Sequence, residues 1–236
     1  MATFLALCQA VARESGTFPN VDTDPQTTVS QEGRLLRLVY WVNDAWGEIQ
    51  REQRLWRWMQ AEAIGDMVAG ANGYNGSALG VSARFGEWLP FADGTDCQVS
   101  RWDPEIGRSD EGFLPFVDWM QFRQVYLSGA NAEKTGKPAV CSLSPNGELT
   151  VFPKPDKAYK LRCPYRKSAQ QLAGDGDVPE MPGDFHDAIK WKGLVYLGMF
   201  DEATEQKAEW QSKYGRVMGH LRSSQLPSVS FGASLA

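Results

Sequence analysis

The chain has 236 residues, of which 42% are hydrophobic and nine are tryptophan, enough for one large domain or a domain carrying an insertion. Its net charge of −5 argues against a surface built to grip phosphate backbones, though it suits one past which DNA slides without sticking. No apolar run approaches the ~20 residues that span a bilayer, and the start, MATFLALCQAVARE, lacks the positive region of a signal peptide, so a protein made and kept in a cytoplasm is expected.

Ala2–Glu14 reads as a short amphipathic helix with Leu5, Cys8, Val11 and Ala12 inward, closed by Gly16 as its C-cap. Thr17–Ser30 is a polar loop with Pro19 and Pro25, and Ser30 offers an N-cap to the next helix. That helix is expected from Gln31 to about Gln60. Leu35, Leu38, Val42, Trp46, Ile49 and Trp56 recur there at spacings of three and four, the period of one buried face. Its arginines (Arg34, Arg37, Arg51, Arg54, Arg57) lie mostly off that stripe, on a solvated face or a subunit contact.

Gly65–Gly94 holds seven glycines, which forbids long regular elements; short strands between loops are expected, with Trp88 and Phe91 as anchors. Asp118–Tyr126 reads as a short helix. Pro138–Tyr165 is β in pattern. Ala139–Leu143 and Glu148–Phe152 flank the turn Ser144-Pro145-Asn146-Gly147, and Tyr159, Leu161, Cys163 and Tyr165 alternate with Lys160, Arg162 and Arg166. After the loop Gly174–Pro179, Pro182 and Asp184 suit a helix start, and Phe185–Phe200 is apolar on nearly every side, so it must be covered all round. A last helix carries Ala203, Trp210, Tyr214, Val217 and Leu221 on one stripe. The class that accommodates these elements is α+β. Helices 1–60 and 176–222 form a bundle around a β-rich insertion, 61–175, and an extended tail, 223–236, follows.

Chemistry finds little support. Gly129…Gly136-Lys137 fails as a phosphate loop, because Asn131 stands where the first glycine is required and Pro138 where Ser or Thr is required; Gly70, Gly73 and Gly76 lack the dinucleotide spacing. His186 lies between Asp184 and Asp187, and with His220 the only other histidine, a surface or subunit-contact role outweighs a metal or acid–base site. Asp175-Gly176-Asp177 lacks the spaced oxygens of a calcium loop. No nucleophile elbow is present, and the four scattered cysteines read as free, mostly buried thiols. No catalytic, cofactor-binding or metal residue is assigned. A basic, aromatic stretch (Lys154, Lys157, Lys160, Arg162, Arg166 and Lys167 with Tyr159 and Tyr165) suits single-stranded nucleic acid or an ordinary half-exposed strand.

Four blocks carry a resemblance. Met181–Lys192 (MPGDFHDAIKWK) is similar to the MP-x-(D/E)-F-H-D-x-I-x-W-(R/K) block of bacteriophage head-to-tail adaptor, or connector, proteins of podovirus and siphovirus type. Leu7–Gly16, Trp41–Met59 and Lys137–Leu172 follow the same family in order and spacing, whereas Gly65–Pro115 and the last dozen residues do not. The resemblance implies a structural virion protein at the head-to-tail junction, made in the host bacterial cytoplasm. Copies would form a ring, twelvefold to match the portal protein, with tail or nozzle proteins on its other face and the genomic DNA passing through without specific binding. It implies neither an enzyme nor a membrane protein.

A ring closes through a heterologous interface. Trp46, Trp191, Tyr196 and Trp210 are expected in core or subunit packing, two roles the sequence does not separate. In the Ser-rich tail, Leu226, Val229, Phe231 and Leu235 suggest a segment that orders on the portal or a neighbouring subunit. A tail-completion or minor tail protein is the alternative; a nucleic-acid-binding module is a third reading.

Overall fold

A computed structural model describes residues 1–16, 24–81, 83–91 and 96–226. The expectations for Val229, Phe231 and Leu235 lie outside these residues. In chain order the elements are α1 (Phe4–Glu14), α2 (Gly33–Glu52), β1 (Gln60–Asp66), β2 (Gly73–Tyr74), β3 (Phe85–Trp88), β4 (Ser100–Trp102), β5 (Gly112–Phe113), α3 (Trp119–Tyr126), β6 (Val140–Leu143), β7 (Leu149–Phe152), β8 (Lys160–Lys167), α4 (Asp187–Phe200) and α5 (Thr204–Gln225). Along the chain, helices at both ends flank a β-rich middle, the expected α+β arrangement. Two compact units result, Met1–Trp58 with Ala169–Ala236, and Met59–Ser168. Residues 169–175, grouped from sequence with the β-rich part, therefore fall in the helical unit.

The ends of α1 and α2 have identifiable causes. Thr3 caps α1 through its hydroxyl, which accepts from the Ala6 N–H at 3.2 Å. The next orphan donors, the N–H groups of Phe4 and Leu5, go to the carbonyls of Asp177 (2.7 Å) and Asp175 (3.2 Å). Gly16, at φ +65°, ends the helix in the left-handed conformation that glycine adopts freely. Ser30 does not cap α2: it sits at φ +56° and the helix begins after Glu32. The helix also stops eight residues short of Gln60. Trp56, expected on its stripe, folds back beyond the end, stacks on Trp58, and donates its indole N–H to the Ile49 carbonyl in the last turn at 2.8 Å. That donor serves one of the carbonyls a helix end leaves without an intrahelical partner.

Two side-chain amides dock the 169–175 segment on α2. Gln50 is fully buried and bonds Gln170 twice, donating to its carbonyl (2.9 Å) and accepting from its N–H (2.7 Å); Asn43 does the same for Leu172 (2.9 and 3.2 Å). The four helices share a core of Leu7, Val11, Leu38, Val42, Trp46, Ile49, Ile189, Leu194, Trp210 and Leu221. On α5 the stripe runs Trp210, Tyr214, Met218 and Leu221, with Met218 buried in place of the expected Val217. The helix continues to Gln225, past the expected tail boundary at 223.

In the β-rich unit, β8 is the hub: the antiparallel order is β1-β8-β4-β5, with β3 also paired to β8, beside a second antiparallel sheet β2-β7-β6. The β6–β7 hairpin closes where expected, the Gly147 N–H meeting the Ser144 carbonyl at 2.9 Å with Gly147 at φ +77°. Tyr159, Leu161 and Cys163 are buried in the alternation the sequence predicts. Trp88 is an anchor, fully buried with its indole bonded to the Tyr74 carbonyl (3.1 Å), whereas Phe91 stays part exposed, edge-on to Phe116.

Candidate assembly surface

The polar motifs of the sequence resolve into structural bonds. His186 is buried, not a surface group: its Nδ1 accepts from the Ala2 N–H and its Nε2 lies 3.1 Å from the Met181 carbonyl. Asp175 accepts from the N–H and hydroxyl of Thr28 (2.5 and 2.6 Å), and Asp177 from the N–H groups of Ala173 and Gly174 (2.7 and 2.9 Å); these bonds hold both carboxyls below the usual carboxylate range. Among the described residues no group of three or more His, Cys, Asp or Glu side chains is placed to hold a metal, and no helix is long and apolar enough to cross a membrane.

Four of the six cations in the basic β stretch are paired with carboxylates of their own unit. Lys154 pairs with Glu133 (3.0 Å), Lys157 with Asp103 (2.6 Å) and Glu105 (3.1 Å), Lys160 with Asp66 (2.7 Å), and Arg162 with Glu62 (2.6 Å). Asp103 and Glu105 hold the Lys157 ammonium well above the ordinary lysine range. Phosphate contacts would have to displace these carboxylates, which weakens the nucleic-acid reading.

In the helical unit a ladder of polar and aromatic groups links α2, α4 and α5. Lys192 bonds Glu48 (2.7 Å), which also accepts from the Tyr196 hydroxyl; Tyr214 donates to Glu52 (3.2 Å), which pairs with Arg222. The Lys192 ammonium lies over the rings of Tyr196 (5.3 Å) and Tyr214 (5.1 Å), and Trp191 is flanked by Lys190 (3.9 Å) and Lys213 (4.6 Å). Of the residues singled out from sequence, Trp46 and Trp210 are buried, Trp46 completely and without an acceptor for its indole N–H. Trp191, Tyr196 and Leu226 are half-buried. Tyr196 alone of these lines the open face described next.

That face was not singled out in the sequence. Met199 and Phe200, the last two residues of α4, are 61% and 51% exposed. Phe200 rests against Trp41 of α2 (centroids 5.5 Å apart) with the Arg37 guanidinium over its ring at 4.4 Å, and Tyr40 stands exposed on the same helix. A shallow groove runs between them, lined by Trp41, Asp44, Arg51, Tyr196, Met199 and Phe200; a second, bordered by Gly33, Arg34 and Arg37, shares Phe200. Arg34 is held by Asp201 at its rim. The signal was present in α4: a helix apolar on nearly every side is covered within the chain along most of its length but not at its C-terminal turn.

A family model described as SU10 adaptor protein matches residues 2–232, including the Gly65–Pro115 stretch that the four motif blocks leave out. No curated protein is similar enough to the chain to count as a match.

Proposed function

The chain belongs to the SU10 adaptor protein family, and from that premise we propose that it forms the head-to-tail adaptor ring of a bacteriophage. In this reading it is a structural component of the virion, with portal and tail proteins as its partners. In our reading, copies assemble on the portal after DNA packaging, twelve to a ring, and offer the tail its platform and the genome its channel. The observation that carries this is the family match over residues 2–232. The groove between α2 and the end of α4 supports it, because the exposed side chains of Met199 and Phe200 stand there beside Trp41, with arginine and carboxylate groups around them.

The occupant we assign to that groove is a neighbouring copy of this chain, because a closing ring needs one patch on each subunit to meet a different patch on the next. The segment beyond Leu226, with Val229, Phe231 and Leu235, docks on the portal or that neighbour, and no catalytic step is involved. Synthesis takes place in the bacterial cytoplasm.

The test is the native mass of the full chain, alone and mixed with the portal ring of the same virus. A stoichiometric ring on the portal supports the adaptor reading. Association with tail tube and not with portal would move the protein to tail completion, and salt-sensitive DNA binding by the isolated chain would favour the nucleic-acid module.

A further inference from the structure

Three of the four cysteines converge in the β-rich unit. Cys141 on β6 and Cys163 on β8 are buried in its core, and Cys97, just ahead of β4, packs half-buried against the same cluster. The sulfurs of Cys97 and Cys141 are 3.8 Å apart. Both belong to backbone that is pinned. Cys141 is tied by its N–H to the Pro115 carbonyl (3.0 Å) and by its carbonyl to the Val117 N–H (2.9 Å); Gln98 and Val99, next to Cys97, bond Pro90 (2.7 Å) and Leu114 (2.8 Å). The sulfur contact is therefore a product of the fold. A disulfide requires sulfurs at about 2.05 Å, so bond formation needs the two to close by less than 2 Å.

The two thiols are unequal. The contact with Cys141 lowers the pKa of the Cys97 thiol, against its partial burial, while Cys141 is pushed far up by the same contact and by its own burial. A solvent-reachable thiolate beside a buried thiol is the arrangement in which one sulfur attacks and the other resolves.

We infer that Cys97 and Cys141 are an oxidisable dithiol that closes to an intramolecular disulfide on reaction with a small disulfide oxidant. The Cys97 thiolate attacks one sulfur of the oxidant, whose S–S bond breaks and releases one thiol. The Cys141 thiol gives its proton to solvent and its sulfur attacks Cys97 in the mixed disulfide, releasing the second thiol. Two protein thiols lose two electrons, and one disulfide becomes two thiols. Cys163, deeper in the core, stays reduced. The new bond links positions 44 residues apart and so restricts the unfolded chain.

The experiment treats the full chain with oxidised glutathione, alkylates it under denaturing conditions, and reads intact mass and peptide map. The expected result is a chain lighter by two hydrogens before alkylation, with two of its four cysteines protected and one cross-linked peptide containing Cys97 and Cys141. Its denaturation midpoint should rise and fall back when reductant is added. Cys97→Ser, at a half-exposed position, should keep the reduced fold and abolish both the cross-link and the shift. Mapping on the unaltered chain decides the matter without any variant. A stable glutathione adduct on Cys97, a cross-link between chains, or four alkylated cysteines would overturn the inference.

Discussion

Two glycines in α4 show how a single hydrogen decides packing. A Cβ at Gly193 would meet Val11 and Val42 at 3.6–3.7 Å, ordinary contact, so Gly193→Ala should gain the ~0.5–1 kcal/mol of helix propensity that glycine forfeits. At Gly198 the same atom would lie 3.0 Å from the Trp210 ring and 3.2 Å from Lys207 Cβ, an atom fixed to the α5 backbone, so that helix would have to move. Overpacking of about 1–3 kcal/mol outweighs the propensity gain there, and Gly198→Ala should be the less stable variant. Urea midpoints of the pair test this; equal shifts of one sign would show that α5 yields freely. Glu48 supplies a titration to match. Burial opposes its ionisation, but the hydrogen bonds from Lys192 and Tyr196 outweigh burial and lower its pKa. A depressed carboxylate stabilises the fold above the unfolded value of about 4.3 and loses that contribution as pH falls through the folded value. Glu48→Gln should therefore be slightly less stable at neutral pH, only slightly because the group is about half exposed and screened, and the gap should close as pH falls below about 4.3. A gap that persists unchanged to pH 3 would mean the charge contributes nothing. In the sequence Glu48 was one acidic residue among many, because what distinguishes it is a partner 144 residues on in Lys192.

Element boundaries depend on the same long-range partners. Periodicity placed α2 correctly along its length but extended it to Gln60, since Trp56 falls on the apolar stripe whether the helix continues or not. What ends the helix is an indole N–H that meets the Ile49 carbonyl, a bond without a local signature. Trp56→Phe keeps most of the buried ring and removes that donor. It should cost about 1–2 kcal/mol, the lost bond plus an orphaned carbonyl, with the urea m-value unchanged. No loss would mean that the stacked Trp58 or the chain's entry into β1 sets the boundary instead. The β6–β7 hairpin and the alternation of β8 were legible because turn chemistry and a period of two are local facts. The assignment of residues 169–175 was not, because it rests on Asn43 and Gln50 reaching backbone groups more than 100 residues away.

At the scale of the whole molecule, neither charge nor fold identifies an adaptor; the order of four motif blocks did, and the family match over residues 2–232 bears the resemblance out. For the proposed ring, the exposed end of α4 predicts which surface meets the next copy. Phe200 is half exposed in the single chain, in touch with Trp41 and Arg37. Phe200→Glu sets a carboxylate beside the Arg37 guanidinium, so the stability of the isolated chain should stay within about 0.5 kcal/mol of the original, as for most surface substitutions. In a ring whose neighbour covers this groove the same carboxylate is taken out of water against an apolar patch, and an incompletely paired buried charge costs several kcal/mol at each interface. That cost repeats around the ring, so the variant should remain a folded monomer, with an unchanged urea midpoint, under conditions in which the original chain assembles on the portal. Native mass and the denaturation curve separate the two effects. A variant that unfolds would show that Phe200 serves the chain's own core, and one that assembles normally would place the subunit contact elsewhere, leaving the groove to the tail side or to no partner at all.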